Sequence, residues 1–130
     1  MQTKQLRQVV TFRAPVSAVY GALMDSRRHS RITESRAVIG RRAGSAFSVW
    51  GGGVTGVTVA LSPNKRIVQA WRGSGWPDGH YSIAVFTFRK AGKGTQLVFE
   101  QYGIPSGELR DIADGWRNYY WQPMKTFFER

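Results

Sequence analysis

The sequence predicts an α+β fold in which a curved antiparallel sheet of six to seven strands wraps around a long C-terminal α-helix. Two short helices are expected between the first two strands. Strand-like segments follow one another through short turns, and short links require antiparallel neighbours because parallel pairing needs long crossovers. After Gly103-Ile104-Pro105, apolar residues recur every three or four positions, which is typical of a helix. The sheet is expected to curl around this helix, because no other segment is long enough to cover its inner face.

The first part of the chain predicts one strand and the two short helices. Apolar residues are interspersed with polar ones over residues 5–12, which indicates a strand. Pro15 has no N–H to donate to a sheet, so it ends the strand and suits the opening of a helix. Asp25 or Ser26 is then expected to cap a second helix over residues 27–34.

The middle of the chain predicts strands separated by turns. Gly51-Gly52-Gly53, Ser62-Pro63-Asn64 and Gly92-Lys93-Gly94 are typical turn sequences. The glycine run lacks the Lys-Ser/Thr of a phosphate-binding loop, so a tight hairpin explains it better. The expected strands are residues 37–40 with 45–50, then 54–61, 65–72, 80–89 and 95–102.

The last segment predicts the longest helix, with Ser106 as its N-cap and Glu108 in its first turn. Pro123 lies inside it, where proline costs about 3 kcal/mol, so a kink or a break before it is expected. The helix carries a bulky aromatic stripe, which consists of Trp116, Tyr119, Tyr120, Phe127 and Phe128.

The composition is that of a packed globule. Of 130 residues, 42% are hydrophobic and 21% are charged, which predicts a single domain over residues 1–130. The absence of cysteine excludes disulfides, thiolate zinc sites and cysteine nucleophiles. No apolar run approaches the roughly 20 residues of a membrane span, and the N-terminus lacks the pattern of a signal peptide. A cytoplasmic location is therefore expected.

A sheet that grips one bulky helix often leaves a cavity between them, which is the default place for a ligand. A small apolar ligand is the corresponding hypothesis, and plain core packing of the aromatic residues is the alternative. The candidate lining residues are Phe47, Trp71, Trp76, His80, Phe86, Phe99, Trp116 and Tyr120.

Three of the predicted strands carry apolar residues on both faces. The set that opposes the core-facing residues predicts an exposed patch on the outer face of the sheet, and such patches commonly mark self-association. A homodimer through this face is one hypothesis; the alternative is that β-branched residues suit strands wherever they point. The outer set comprises Val57, Val59, Val68, Ala70, Ile83 and Val85.

The chain is strongly basic, with 19 Lys and Arg against 8 Asp and Glu, a formal net charge of +11. Arginine pairs bidentately with carboxylate or phosphate, so a dense group of arginines predicts docking to an acidic partner. A solvated loop and helix is the alternative, and nucleic acid is disfavoured because no aromatic residues alternate with these arginines. The group, called the arginine cluster below, is Arg27, Arg28, Arg31, Arg36, Arg41 and Arg42.

Residues for catalysis are few. The two histidines, His29 and His80, have no metal-ligand spacing, and no nucleophile elbow or phosphate-binding loop is present. The sequence therefore predicts no catalytic residue, no metal and no cofactor, and it favours a non-enzymatic protein. An enzyme of the cyclase type would depend on His80 or Tyr81 as its acid or base.

Several motifs occur in a familiar order along nearly the whole chain. They are Phe12-Arg13-Ala14-Pro15-Val16-Ser17-Ala18-Val19-Tyr20, Val54-Thr55-Gly56, Leu61-Ser62-Pro63, Ile67-Val68-Gln69-Ala70-Trp71-Arg72, Trp76-Pro77-Asp78-Gly79-His80, Gly103-Ile104-Pro105 and Gly115-Trp116-Arg117-Asn118-Tyr119-Tyr120. Together they resemble the C-terminal domain of the activator of the heat-shock protein 90 ATPase. The resemblance implies the helix-grip fold of the START-like (SRPBCC) superfamily, with the two tryptophan motifs as structural positions.

The resemblance also implies a stress- or chaperone-related binding protein, with a heat-shock protein 90 family chaperone or another acidic protein as partner. The eukaryotic co-chaperones carry a separate N-terminal domain that supplies much of the chaperone contact, and stand-alone relatives are widespread in bacteria. Because the superfamily includes lipid-transfer domains and polyketide cyclases, a small hydrophobic-ligand binding or transport protein is the alternative function.

Overall fold

A computed structural model describes residues 2–129 and contains one seven-stranded antiparallel sheet. The strands are β1 (Thr3–Phe12), β2 (Val38–Ile39), β3 (Ala46–Val49), β4 (Val54–Ser62), β5 (Arg66–Gly73), β6 (Ser82–Ala91) and β7 (Gly94–Pro105). Their order across the sheet is β1-β7-β6-β5-β4-β3-β2, so each hairpin pairs neighbours in sequence and β1 returns to pair with β7. The predicted curved sheet of six to seven strands is confirmed.

The helices are α1 (Val16–Met24), α2 (Ser26–Thr33), α3 (Leu109–Trp116) and α4 (Gln122–Phe128). A π-helical segment, Arg117–Trp121, joins α3 to α4, and residues 109–128 together are called the C-terminal helix. The predicted α+β helix-grip fold is confirmed, because the inner face of the sheet packs on this helix. No helix among residues 2–129 combines the length and the apolar character needed to cross a bilayer.

The centre of the core is a row of side chains on three adjacent strands. Ile67 on β5 pairs with Phe86 on β6, which pairs with Phe99 on β7, and all three are buried. The helix packs Trp116 and Met124 against this inner surface. This burial explains why the C-terminal helix needs an almost continuous apolar stripe.

Gly56 on β4 shows why one motif residue must be glycine. A Cβ at this position would overlap the carbonyl oxygen of Ala70 on the paired strand and the ring of Phe47. The absent side chain therefore lets β3, β4 and β5 pack closely at the end of the sheet that faces the candidate site.

Asp25 caps α2, as predicted. Its carboxylate accepts a hydrogen bond from the backbone N–H of Arg28 at 3.0 Å, and this bond holds the pKa of Asp25 below its ordinary value. The cap fixes the start of the helix that carries half of the arginine cluster.

For the C-terminal helix, the expected N-cap was wrong, and of the two alternatives at Pro123, a kink or a break before it, the break does not occur. Ser106 does not cap it, because residues 106–108 form a 3₁₀ turn and Leu109 begins α3 without a side-chain cap. No break precedes Pro123, because the chain widens into the π-helical segment, in which the N–H of Gln122 bonds to the carbonyl of Arg117. Pro123 then falls in the first turn of α4, where a missing N–H costs little.

The outer face of the sheet carries the apolar set expected there. Val57, Ala70 and Ile83 are successive register partners across β4, β5 and β6, and Val57 and Ile83 are exposed. Val59 is also exposed, whereas Val85 is buried. Self-association through this face stays a prediction.

Candidate functional site

An open cavity of about 420 Å³ lies between the C-terminal helix and the strand end formed by β3, β4 and β5. Its volume falls within the range of roughly 300–1,000 Å³ that is usual for small-molecule sites. Its walls are almost entirely apolar or aromatic. The lining residues are Trp50, Val54, Trp71, Asp111, Ile112, Gly115, Trp116, Tyr119 and Tyr120.

A tight turn after β3 directs Trp50 into this wall. Gly51 and Gly52 have φ values of 63° and 99°, which are conformations that glycine adopts without steric cost. The indole of Trp50 packs edge-on against the rings of Tyr119 and Tyr120, with centroids 5.7 and 5.6 Å away. The triple glycine therefore shapes a hairpin, as predicted, and places an aromatic side chain against the helix.

Three of the eight candidate lining residues lie in the cavity wall: Trp71, Trp116 and Tyr120. Phe47 and Phe86 lie further inward, where they line a void of about 20 Å³ behind the same three rings. Whether these residues bind a ligand stays a prediction.

The other three candidates lie outside both sets of walls. Phe99 is fully buried in the core, with its ring centroid 4.3 Å from that of Trp116. Trp76 packs on Trp71, and His80 packs on Trp76 while its Nε2 lies 2.7 Å from the carbonyl oxygen of Gly103. Their contacts are those of residues that support the wall from behind.

Sequence reasoning missed six residues of the cavity wall. Ile112, Gly115 and Tyr119 lie on the same helical stripe as Trp116, so their helical spacing could have identified them as wall residues. No sequence pattern identifies Trp50 as a wall residue, because the conformation of the turn after β3 determines where its side chain points. The other two are Val54 and Asp111.

A buried hydrogen-bonded network supports the wall from the side of α2. His29 is 5% exposed, and its Nδ1 lies 3.3 Å from the carbonyl oxygen of Leu23. Because a carbonyl can only accept, Nδ1 carries the proton of the neutral ring and Nε2 accepts from the hydroxyl of Tyr120 at 2.9 Å. The Tyr120 oxygen in turn accepts from Trp50 Nε1–H at 3.1 Å.

Burial controls the ionisation of this network. It lowers the pKa of His29 from 6.5 to about 4 and raises the pKa of Tyr120, because neither charged form is solvated in the interior. Both side chains are therefore uncharged at neutral pH. His29, rather than the predicted His80, is the histidine beside the cavity.

A second buried chain of hydrogen bonds joins the helix to the sheet. Trp116 Nε1–H donates to Gln101 Oε1 at 2.9 Å, and Gln101 Nε2–H donates to Ser82 Oγ at 2.9 Å. Ser82 then donates to the carbonyl of Trp71, also at 2.9 Å. Two cavity-wall tryptophans are thus held by one continuous polar connection.

The arginine cluster is exposed throughout. All six of its side chains are exposed, on α2 and on the segment that follows it. Ser26 and Ser30 hold that segment beside α2, because their hydroxyls accept from the backbone N–H groups of Ile39 at 2.9 Å and Ala37 at 3.0 Å. Arg41 forms an ion pair with Asp25 at 3.3 Å, which joins the two parts.

The acidic residues near this surface are few. Within the described chain only Asp25 forms an ion pair with a member of the cluster. Residues 2–129 also contain no group of three or more His, Asp or Glu side chains arranged to hold a metal ion.

Residues 13–129 match the family described as Activator of Hsp90 ATPase homolog 1-like protein. The chain belongs to this family. It is 35% identical over 128 residues to an uncharacterized protein of Schizosaccharomyces pombe, covering 98% of this chain and 38% of that protein. It is 30% identical over 118 residues to the human Activator of 90 kDa heat shock protein ATPase homolog 1, covering 91% of this chain and 35% of that protein.

Solved structures share the fold of this activator-like domain. A crystal structure of an HSP90 activator from Plasmodium falciparum superposes with a TM-score of 0.90 at 20% identity, covering 95% of this chain and 94% of that one. The chain spans little more than a third of the length of the curated relatives, 38% and 35%.

In this activator-like domain the two tryptophan motifs form one structural unit. The guanidinium of Arg72 donates to three carbonyls, those of Trp76 at 2.7 Å, His80 at 3.2 Å and Pro77. The loop between β5 and β6 therefore folds around the Arg72 side chain. Its guanidinium satisfies backbone carbonyls that would otherwise need water. These contacts agree with the structural role that the resemblance implied.

Proposed function

We propose that the protein is a non-enzymatic, chaperone-related binding domain of the cytoplasm, which docks to an acidic surface of a heat-shock protein 90 family chaperone. The observation that carries the proposal is the arginine cluster, six exposed arginines on α2 and the segment that follows it, of which only Arg41 forms an ion pair within the described residues. The family supports the chaperone as partner, because curated relatives are named activators of its ATPase.

The chemistry of the surface favours a carboxylate-rich partner. Guanidinium groups pair with carboxylates through two parallel hydrogen bonds, and the net charge of +11 accelerates encounter with an acidic protein. Because the arginines are exposed, their attraction is expected to weaken strongly as salt is added.

Reversing three charges of the cluster is expected to weaken chaperone binding at least tenfold at low salt. The variant Arg27→Glu/Arg31→Glu/Arg36→Glu changes side chains that are all exposed, so the fold is retained. Binding to the cognate heat-shock protein 90 homologue is measured by calorimetry at 50 and at 500 mM salt.

The matched control is Arg89→Glu/Lys90→Glu/Lys93→Glu, which makes the same change of charge on the exposed β6–β7 hairpin. The control is expected to bind much more tightly than the cluster variant. Equal affinities of the two variants would contradict docking through the arginine cluster.

A second function, binding of a small apolar ligand, is favoured by the 420 Å³ cavity. The rings of Trp50, Trp71 and Trp116 give it the aromatic walls that are typical of ligand pockets. This function is compatible with the first, because the cavity and the arginine cluster are different surfaces.

Filling the cavity is expected to weaken binding of an apolar probe at least tenfold without loss of stability. Gly115 lies in the cavity wall, and the nearest neighbour of a Cβ placed there is Tyr119 Cδ2 at 3.8 Å, an ordinary contact. Gly115→Leu therefore adds a side chain to the open space and removes a helix-interior glycine, which stabilises by up to about 1 kcal/mol. We expect at least tenfold weaker binding of N-phenyl-1-naphthylamine, followed by its fluorescence.

The control for this variant is Gly107→Leu. A Cβ at Gly107 has no neighbour within 4 Å, and the residue lies outside the cavity wall. It is expected to keep wild-type affinity for the probe. If Gly115→Leu binds the probe as Gly107→Leu does, the cavity is not the binding site.

A further inference from the structure

One edge of the sheet is formed by β1, and this edge has no strand beside it. β1 pairs with β7 on one side, and no strand among residues 2–129 pairs with its other side. An unpaired edge presents backbone N–H and C=O groups to which an extended chain can add as a further strand. The groups that lie beside β1 determine which chain this edge can accept.

A groove of about 320 Å³ lies between this edge and the C-terminal helix. Its strand side is lined by the consecutive residues Gln8, Val9 and Val10. Side chains of successive residues point to opposite faces of a sheet, so a groove lined by all three lies at the edge of the strand. The helix side of the groove is lined by Arg117, Trp121, Gln122 and Lys125.

The side chain of Gln8 ties the two sides of the groove together. Its Nε2–H donates to the carbonyl of Ala113 at 3.1 Å, and its Oε1 accepts from Trp121 Nε1–H at 2.7 Å. Both sides of the groove therefore belong to regular elements in direct contact. Val9, on the outer face of β1, is 47% exposed, so an apolar side chain beside the edge is left uncovered.

The charges beside the edge are positive. Arg117 and Lys125 line the groove, and no acidic side chain does so. Arg117 pairs with Asp114 at 2.9 Å, whereas Lys125 forms no ion pair with any residue of the described chain. β1 itself carries Lys4 and Arg7 and no acidic residue. A segment rich in carboxylates is the electrostatic complement of this edge.

A second copy of this chain is a poor partner for the edge. Pairing β1 with the β1 of another copy would place Lys4 and Arg7 of both copies on adjacent strands, and like charges that face each other there are destabilising. Glu100, the register partner of Arg7 on β7, does not offset this charge. It accepts from the hydroxyl of Tyr102 at 2.6 Å and forms no ion pair with the described residues.

We propose that the free edge of β1 binds an extended acidic segment of a partner protein, which adds to the seven-stranded sheet as one more strand. Alternate side chains of the added strand point to the two faces of the sheet. One set is acidic and lies towards Arg117 and Lys125, and the other is β-branched and lies beside Val9. This site is separate from the docking surface proposed above, because no member of the arginine cluster lines it.

The test uses the peptide acetyl-Val-Glu-Val-Glu-Val-Glu-Val-amide, titrated into the ¹⁵N-labelled protein. Shifts of backbone amide resonances are expected in residues 7–11 and 117–125. Hydrogen exchange is expected to slow at every second N–H of β1, because only alternate residues point to the free edge. Absence of binding, or shifts confined to the arginine cluster, overturns the proposal and leaves chaperone docking to its own test.

Neutralising the groove is expected to weaken binding of this peptide about three- to tenfold at low salt. The variant Arg117→Gln/Lys125→Gln removes both groove cations and introduces a residue that favours helix, so the fold is retained. The matched control Lys65→Gln/Arg110→Gln removes two exposed cations that lie outside the groove, and it is expected to bind as the wild type does. Equal affinities of the two variants overturn the proposal.

Two N-methylated peptides test strand pairing itself. One carries methyl groups on its valine nitrogens and the other on its glutamate nitrogens, so each loses the donors of one edge only. One of them is expected to bind at least tenfold more weakly, and the other is expected to keep its affinity, because one edge of the added strand faces β1 and the other faces solvent. Equal effects of the two methylations overturn strand addition even where the acidic peptide binds.

Discussion

Replacing Trp116 by alanine is expected to lower the free energy of unfolding by about 4 kcal/mol, the usual cost of deleting a buried tryptophan side chain. Trp116 is 4% exposed, and its ring lies 4.3 Å from that of Phe99 and 4.6 Å from that of Tyr120, measured between centroids. It joins the helix to the inner face of the sheet at the point where the cavity begins. Deleting it opens the cavity into the core.

Phenylalanine at the same position separates packing from hydrogen bonding. Trp116→Phe keeps most of the ring but removes the N–H that donates to Gln101, so a buried acceptor loses its partner. We expect Trp116→Phe to lower the free energy of unfolding by about 2 kcal/mol, which is less than the loss in the alanine variant. Urea unfolding followed by circular dichroism measures both.

Tyr119→Ala is the matched control, because Tyr119 is 60% exposed on the same helix. Its expected cost is below about 1 kcal/mol. If Trp116→Ala costs no more than Tyr119→Ala, the sheet does not grip the helix through this side chain. Such a result would remove the basis for a cavity bounded by Trp116.

The fold could be predicted from the sequence because its turns and helices are encoded by local patterns, and the packed structure keeps them. Turn sequences such as Ser62-Pro63-Asn64 lie between β4 and β5 as expected, and Asn64 has a φ of 62°, a conformation that asparagine tolerates. The helical spacing after Pro105 is equally local. The widened turn before Pro123 was not predicted from that spacing, because a period of three or four residues assumes an uninterrupted α-helix.

The residues of the candidate site could be predicted only in part, because the site is built from contacts between residues that lie far apart in the sequence. Trp71, Trp116 and Tyr120 were found from their place on a strand and a helix. His29 was not, since its environment arises when α2 packs on the C-terminal helix, 91 residues away in sequence.

Lowering the pH from 7 to 4 is expected to remove about 3 kcal/mol of stability through His29 alone. The unfolded chain binds a proton at this residue near pH 6.5, whereas burial lowers the folded pKa to about 4. Between these values the unfolded state holds more protons, so the free energy of unfolding falls as pH falls. The magnitude follows from about 1.4 kcal/mol per pKa unit.

The loss of stability on protonation of His29 also affects the cavity wall, because His29 is hydrogen-bonded to the wall residue Tyr120. A protonated His29 carries N–H on both ring nitrogens, so its Nε2 would meet the hydroxyl of Tyr120 as a second donor. Tyr120 would then have to turn its own proton away, although its oxygen already accepts from Trp50. We therefore expect apolar-probe binding to weaken over the same pH range.

The decisive comparison is the wild type against His29→Gln, with unfolding measured at several pH values between 4 and 7. Glutamine can accept from Tyr120 but does not titrate, so the variant is less stable at pH 7 and loses about 3 kcal/mol less on acidification. Carboxylates such as Asp25 act in both proteins, and their contributions largely cancel in the difference. NMR titration of the His29 ring gives the folded pKa directly. A value near 6.5, or parallel stability profiles of the two proteins, would show that the ring is solvated and that the wall of the cavity does not depend on its neutral form.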